Sequence, residues 1–508
     1  AASFAIEVRR SGTLRVRLRD NDRRPAAARV YLTGSDGLAH MPLGALQRVL
    51  PVTGEYYFYA QEEFAVVLPE GEAIVEAVRG PEYAPVQRRV EIIAGRTVTA
   101  DLDLDHRLRM AERGWYSSDS HIHANYINNE VIDREQIALQ VSGEGLDIAN
   151  LLVANSFGAV IHDERFFEGR PRHQSDGSIL YWNEEMRNYG LYGHMAFFNL
   201  KELVHPLYTG FPGTPFHEDY PPNHEQARKA REQGGIVTYV HPAGLASFEG
   251  TAFIGMREFP VDVALGSVDA LDVISNAIED ATMELWYRSL NSGMRSAISA
   301  GTDSFTNTTT GVVPGGGRFY VAVPGEFSYE AWVEAFRGGH TFATNGPMLT
   351  FSANGVGPGA ELSLPADTET PVTIRADVES VVPIQRLEVV ANGEVIASVE
   401  APDAQTTRLS LEETTTIEQS SWLAARAWGP GHRLVLNDPR AFAHTSPVYC
   451  LIGDQPISSA EDAAFWVTWI DRLIETVREK GVFDRDETRE SVIELFRKAQ
   501  EIYRERAG

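Results

Sequence analysis

The sequence has a single cysteine, Cys450, which excludes an intrachain disulfide and a thiolate metal knuckle. It lacks any apolar run of about 18 residues, the length a bilayer-crossing helix needs. It is also short of positive charge. Lys and Arg number 45 against 71 Asp and Glu, a formal net charge of −26. Such a surface repels phosphate backbones and anionic headgroups, so neither nucleic acid nor a membrane is an expected partner. There is no Gly-x-Ser-x-Gly elbow. The glycines at 315–317 are not followed by Lys-Ser or Lys-Thr, so they mark a flexible loop and not a phosphate cradle. No internal repeat or low-complexity segment is found.

What is present is a chain of 508 residues, 43% of them hydrophobic, enough to bury large cores without covalent staples. At roughly 150 residues per domain, the length suggests about three domains. The start Ala1-Ala2-Ser3 fits the mature side of a signal-peptidase cut and predicts a periplasmic or secreted protein. A trimmed start is the alternative, and the expectation then is cytoplasmic.

Hydrophobic patterning divides the chain into four parts. Residues 1–106 read as a β-sandwich: Leu14, Val16 and Leu18 alternate with polar neighbours, as do Val98, Ala100, Leu102 and Leu104. Residues 107–346 alternate strand candidates (146–154, 236–240, 270–275, 295–300) with helix candidates (133–141, 223–233, 279–291, 329–337). This predicts an α/β unit with a mostly parallel sheet, open or closed into a barrel. Residues 347–453 return to β, with a two-residue hairpin at Asn392-Gly393. Residues 454–508 form a helical tail in which Trp466, Trp469, Ile470, Leu473 and Val477 share one face and Gly481 ends the first helix.

Polar residues punctuate the expected strand ends of the middle part. His121 and His123 follow Trp115-Tyr116. His241 follows 236–240, Asp303 follows 295–300, and Asn155 and Asn276 end two further strands. Catalytic groups of parallel α/β sheets gather at such ends. His121 and His123 are two residues apart, so in an extended strand both imidazoles face one side and can meet one ion. His-x-His alone is a weak signal, and a pair of ordinary loop histidines is the alternative. Asp119 just ahead strengthens it, as a carboxylate able to orient an imidazole.

The run Gly114-Trp115-Tyr116-Ser117-Ser118-Asp119-Ser120-His121-Ile122-His123 resembles the opening motif of the polymerase-and-histidinol-phosphatase (PHP) metallohydrolases, closest to their carbaryl hydrolase-like CehA/McbA branch. Four later stretches resemble that family in order: Asn183-Glu184-Glu185 with Gly193-His194, Tyr239-Val240-His241-Pro242, Ala300-Gly301-Thr302-Asp303, and Thr341-Phe342-Ala343-Thr344-Asn345-Gly346-Pro347. The resemblance implies a distorted (β/α)7 barrel over 107–346, flanked by the N-terminal β-sandwich, the C-terminal β segment and the helical tail. It implies one metal held by His121, His123, Glu185 and Asp303, and a second sharing Glu185 and adding His194 and His241. Glu184 competes with Glu185 for the bridging position. Two family ligands are missing: Val153-Ala154 stands where the family has Asp-His, and Phe305 where it has His. Both belong to a third metal, so one or two divalent ions are expected, zinc first, with manganese or iron as alternatives.

The expected activity is a metal-dependent hydrolase attacking an ester, carbamate or amide bond of a small molecule with a metal-activated hydroxide. Asp303 and Glu185 would serve as catalytic acids and ligands, with Asn155 or Tyr239 stabilising the oxyanion. Tyr126, Trp182, Arg187, His340 and Asn345 are candidates for the substrate pocket; the aromatics among them are equally explained as packing, and Asn345 as a turn residue. The competing expectations are a PHP-type phosphoesterase and a non-catalytic metal-containing binding module.

Overall fold

A computed structural model describes residues 9–126, 131–155, 160–242, 255–275, 279–366, 370–436 and 438–508. Asn276 and the Ala1-Ala2-Ser3 start lie outside the described residues.

The N-terminal part is a sandwich of two sheets. Ser11–Arg19 lies between Glu63–Pro69 and Thr97–Asp103. The facing sheet runs in the order Arg48–Val49, Tyr56–Gln61, Ala27–Thr33, Gly71–Val78, Val86–Ile92. The alternation in the sequence is the cause. Leu14, Val16 and Leu18 are fully buried while the residues between them are not, and they meet Val30, Leu32, Phe58, Val75 and Leu102 from the other strands. Each such side chain contributes about 1.5–3 kcal/mol by leaving water.

In the middle part the expected helices form: Arg134–Gly143, Asn223–Glu232, Glu279–Asn291 and Tyr329–Arg337. Two begin on side-chain caps. Asp133 accepts from the Gln136 N–H at 2.9 Å, and Ser328 from the Ala331 N–H at 3.1 Å. The expected strands form as well: Ile148–Val153, Ile236–Tyr239, Ala270–Ile274 and Ala297–Ala300.

Their assembly corrects the expected fold class. It is not an α/β unit closed into a (β/α)7 barrel. Trp115–His123, Ile148–Val153 and Ile179–Asn188 are parallel, but His194–Phe198 runs antiparallel to both Ile179–Asn188 and Ile236–Tyr239. Arg318–Ala322 runs antiparallel to Trp115–His123 and to Thr341–Thr344. Nor does the sheet end at 346. Thr341–Thr344 pairs with Ala441–Thr445, and among the described residues one mixed sheet of 18 strands continues to Val448–Ile452.

The reversal has a local cause. The Asn188 side-chain oxygen accepts from the N–H groups of Gly190, Leu191 and Tyr192 at 3.3, 2.6 and 3.0 Å, closing a tight turn. Gly193, at φ +116°, completes the turn, and a Cβ there would lie 2.0 Å from the Gly255 carbonyl oxygen. Ile179–Asn188 is covered on both faces, so its sequence carries no alternation to read.

After 346, Pro371–Glu379 pairs with Met348–Ala353 and Arg408–Thr416. The Asn392-Gly393 hairpin joins Arg386–Ala391 to Glu394–Glu400, with both turn residues at positive φ, 49° and 94°. The tail helices Ala460–Lys480 and Asp486–Ala507 bury Trp466, Ile470, Val492 and Phe496 in the core of the middle part. Trp469 Nε1 donates to the Arg257 carbonyl and the Tyr503 hydroxyl to the Pro260 carbonyl, both at 2.9 Å. No helix among the described residues is long and apolar enough to cross a membrane.

Candidate metal centre

Six side chains converge from separate strands. His121 and His123 point the same way from Trp115–His123, with their Nε2 atoms 2.9 Å apart. Glu185 comes from Ile179–Asn188, and His194 opens the antiparallel partner, opposite Arg187. His241 and Asp303 stand just beyond Ile236–Tyr239 and Ala297–Ala300. Glu185 Oε2 lies 3.7 Å from His121 Nε2 and 3.3 Å from His123 Nε2. Its Oε1 lies 3.0 Å from His194 Nδ1 and 3.4 Å from His241 Nε2. Asp303 Oδ1 is 3.3 Å and 3.2 Å from the same two Nε2 atoms of His121 and His123. Three overlapping triads result, each with ligand atoms within 4.8 Å of one another: His121–His123–Glu185, His121–His241–Asp303 and Glu185–His194–His241. His241 therefore belongs to both halves of the cluster and not to one.

The adjacent acid is settled by the pleat. Glu184 points to the other face, where one oxygen accepts from the Val204 N–H at 2.6 Å and burial pushes its carboxyl well up. Glu185 faces the histidines.

His241 and Asp303 sit at φ 31° and 51°. Left-handed backbone costs residues with a Cβ of order 1–3 kcal/mol, so the surroundings must hold it. At Asp303, Asp119 supplies much of that hold through the preceding Thr302. It accepts from the His121 N–H at 2.9 Å, the Thr302 N–H at 3.0 Å, the Thr302 hydroxyl at 2.6 Å and the Gly315 N–H at 2.7 Å. It thus ties the histidine strand to the Asp303 loop through backbone, where a bond to an imidazole was expected. Beneath it, buried Asp272 accepts from the Ser120 and Ser299 hydroxyls, both at 2.6 Å, and burial raises its carboxyl to about 7. Gly301 is required by this packing, because a Cβ would lie 2.2 Å from Ser120 Oγ.

The donor set fits a divalent ion. Glu185 Oε2, both ring nitrogens of His194 and His241 Nδ1 are buried without a hydrogen-bond partner. His194 Nδ1 is close to Glu185 but outside hydrogen-bonding geometry. Burial pushes Glu185 up, yet Arg187 and His121 outweigh it and hold the carboxyl well below its usual range. Burial likewise acts on Asp303, and His121 and His123 overcome it in the same direction. Burial drives His194 down to about 4. On His123 burial also lowers, but Asp303 and Glu185 prevail and raise it to about 9. Ionised carboxylates beside imidazoles, with lone pairs unmet, are the donors that zinc, iron and manganese accept.

Three of the other predicted residues join the cluster. The Tyr126 ring stacks on His123 with centroids 4.5 Å apart, and on Phe305 at 4.9 Å. Arg187 donates to the Tyr126 hydroxyl and, at 2.7 Å, to the Asn155 carbonyl, while its Nε, 3.6 Å from Glu185 Oε2, has no hydrogen-bond acceptor. The Asn155 amide is fully buried with neither atom hydrogen-bonded.

The remaining four are placed elsewhere. The Tyr239 hydroxyl donates to Asp262 at 2.6 Å and accepts from Asn223 at 3.2 Å. Trp182 packs with Phe166 and Arg134. His340 bonds the Pro358 carbonyl at 2.7 Å. Asn345 accepts from the Phe442 N–H at 2.8 Å and donates to the Arg440 carbonyl at 3.0 Å, which ties its turn, and it also borders a cavity with Gly301 and Thr302. Sequence reasoning missed Asp272, although a lone acid inside Ala-Leu-Asp-Val-Ile was the signal. It also missed the bonds of the Thr302 N–H and hydroxyl and of the Gly315 N–H to Asp119.

No family model and no curated protein matches the chain. Among solved structures, a Bacteroides uniformis beta-glucuronidase 2, covalently bound to cyclophellitol-6-carboxylate aziridine, is 8% identical with a TM-score of 0.17, covering 88% of this chain and 58% of that one. A Parabacteroides merdae beta-glucuronidase is 9% identical with a TM-score of 0.16, covering 85% and 60%. The chain thus spans about three fifths of the length of these enzymes, and a likeness of that size assigns neither fold nor activity.

Proposed function

We propose that the chain is a metal-dependent hydrolase that cleaves an ester, carbamate or amide bond of a small molecule, as its motif resemblance to the CehA/McbA branch implies. One observation carries this: six ligand-type side chains converge, five of them buried and Asp303 partly so, and Glu185, His194 and His241 keep atoms that nothing among the described residues satisfies. His121, His123, Glu185 and Asp303 would hold one divalent ion, and Glu185, His194 and His241 a second. Zinc is the favoured ion, with manganese or iron as alternatives. Such ions supply Lewis acidity and a water whose pKa falls towards 7. Phe305 occupies the position of a third-metal ligand and offers no donor atom, which supports two ions at most.

The chain's own groups supply the rest. Asp303 is ionised and its side chain is 19% exposed, so it can take a proton from water and deliver it to a leaving group. The Arg187 Nε and the Asn155 amide are unmet donors suited to a developing oxyanion. Tyr126 and Phe305 form an apolar wall that excludes water on the His123 side.

Metal content per chain, measured with p-nitrophenyl acetate, carbamate and phosphate turnover before and after chelation, tests the proposal. One or two ions with chelator-sensitive carbonyl-ester or carbamate hydrolysis is the expected result. Absence of metal, or turnover indifferent to chelation, overturns it. One ion with no turnover favours the binding module. A second reading, phosphoester hydrolysis, is favoured by the buried Arg187 charge beside Glu185. Preference for the phosphate in the same panel selects it.

A further inference from the structure

A second buried site lies where the N-terminal sandwich, the end of helix Arg134–Gly143 and the loop before Arg318–Ala322 meet. Arg29 is 1% exposed, and its Nε and Nη1 have no hydrogen-bond acceptor. The nearest acid, Glu144, leaves its Oε1 3.6 Å from Nε, beyond hydrogen-bond distance, and that oxygen accepts from the Tyr59 hydroxyl at 2.7 Å. The faces of Tyr31 and Tyr57, with centroids 5.8 and 5.6 Å away, attract the cation but accept no in-plane N–H.

Arg318 is buried beside it. Its guanidinium donates only to carbonyls among the described residues: Gly315 at 2.7 Å, Glu144 at 3.0 Å and Gly145 at 3.4 Å. The carboxyl end of the helix thus satisfies Arg318. Nothing equivalent among the described residues reaches the Arg29 Nε or Nη1. Arg29, Gly80, Glu144, Gly315 and Arg318 border a cavity of about 20 Å³, counted as the space open to the centre of a water molecule, which is room for one small group.

We infer that this cavity binds one small monovalent anion of the chloride class, held by the Arg29 guanidinium. Glu144 faces Arg29 and Asp147 interacts with Arg318, but neither carboxylate reaches the Arg29 Nε or Nη1 in hydrogen-bonding geometry. A water molecule would accept the unmet N–H groups as a neutral partner, whereas a halide accepts them and adds its attraction to the guanidinium charge. The site reaches the metal centre through one loop residue. Gly315 accepts from Arg318 Nε and donates to Asp119 Oδ2. An anion that fixes Arg29 against this junction therefore steadies the loop that holds Asp119. The inference is independent of the reaction the metal centre performs.

The test uses the full chain in its metal-loaded form. Thermal unfolding is followed in sodium chloride, bromide and gluconate at equal ionic strength, and crystals soaked in bromide are measured for anomalous scattering. Chloride and bromide should raise Tm over gluconate saturably, by about 2–4 °C. A bromide peak should lie against Arg29, and Arg29→Met should lose the salt difference. If Arg29→Met does not fold, the bromide peak in the unmodified chain decides. Equal Tm in the three salts overturns the inference, whether the cavity shows water alone or a bromide peak, which would then be adventitious.

Discussion

Two clusters of buried acids begin two residues apart, at Tyr239 and His241, and they are built on opposite plans. In the first, Glu258 accepts from the Asn223 and His224 N–H groups, both at 3.0 Å, at the start of helix Asn223–Glu232. Asp262 accepts from the Tyr239 hydroxyl at 2.6 Å and the Ser267 hydroxyl at 3.5 Å. Every carboxyl oxygen has a protein donor, and burial raises both acids well above their usual range, with Asp262 adding to the effect on Glu258. In the second cluster, Glu185 and Asp303 are held down by cationic neighbours, and ring nitrogens and a carboxylate oxygen are left unmet. The first closes on itself and serves the fold. The second is complete only with something the chain does not contain. Burial alone therefore does not mark a site; unmet donors and acceptors do.

Four substitutions sharpen that contrast, in falling order of effect. His241→Ala removes a ligand shared by two triads, and metal analysis should show at least one ion lost with turnover abolished; full metal content and normal turnover would break the contrast. Arg187→Met leaves the ligands in place. It should lower kcat about 10²–10³-fold with metal content unchanged, as loss of an oxyanion donor does. Asp119→Asn weakens the backbone ties to His121 and Thr302, and titration should show metal affinity reduced about 10–100-fold. Asp262→Asn, in the closed cluster, should leave metal content and turnover unchanged and act on stability alone. The folded Asp262 holds its proton more tightly than the unfolded chain does. Its contribution is therefore full below about pH 4 and is lost as pH rises. The variant should gain in Tm relative to the unsubstituted chain as pH is raised from 4 to 8. A difference independent of pH, or opposite in sign, would show that Asp262 is ionised in the fold.

The legibility of each part follows from how local its physics is. The N-terminal strands, the Asn392-Gly393 hairpin and the capped helices were readable because alternation, turn chemistry and caps act over a few residues. Of the six candidate ligands, His121, His123, His241 and Asp303 were readable at expected strand ends and Glu185 and His194 through the motif resemblance, and the structure gathers all six. Strand direction was not readable. Ile179–Asn188 is buried on both faces, and the turn that reverses the sheet depends on one Asn188 side chain. Tyr239 illustrates the same limit at the site, since only the packing of Phe259–Ala264 shows that its hydroxyl belongs to Asp262.

By itself the sequence determined the N-terminal β alternation, four strands and four helices of the middle part and the tail helices, the absence of an intrachain disulfide, and which residue types stand ready for a metal. Those follow from periodicity, composition and donor chemistry. Tertiary structure alone decided that the sheet is mixed and continues past 346, that Glu185 and not Glu184 faces the histidines, and that His241 serves both halves of the cluster. It also left the Arg29 Nε and Nη1 without an acceptor among the described residues, between modules far apart in the chain. The reason is common to all of these: hydrogen-bond register and burial are set between distant segments, and no window along the chain contains both partners.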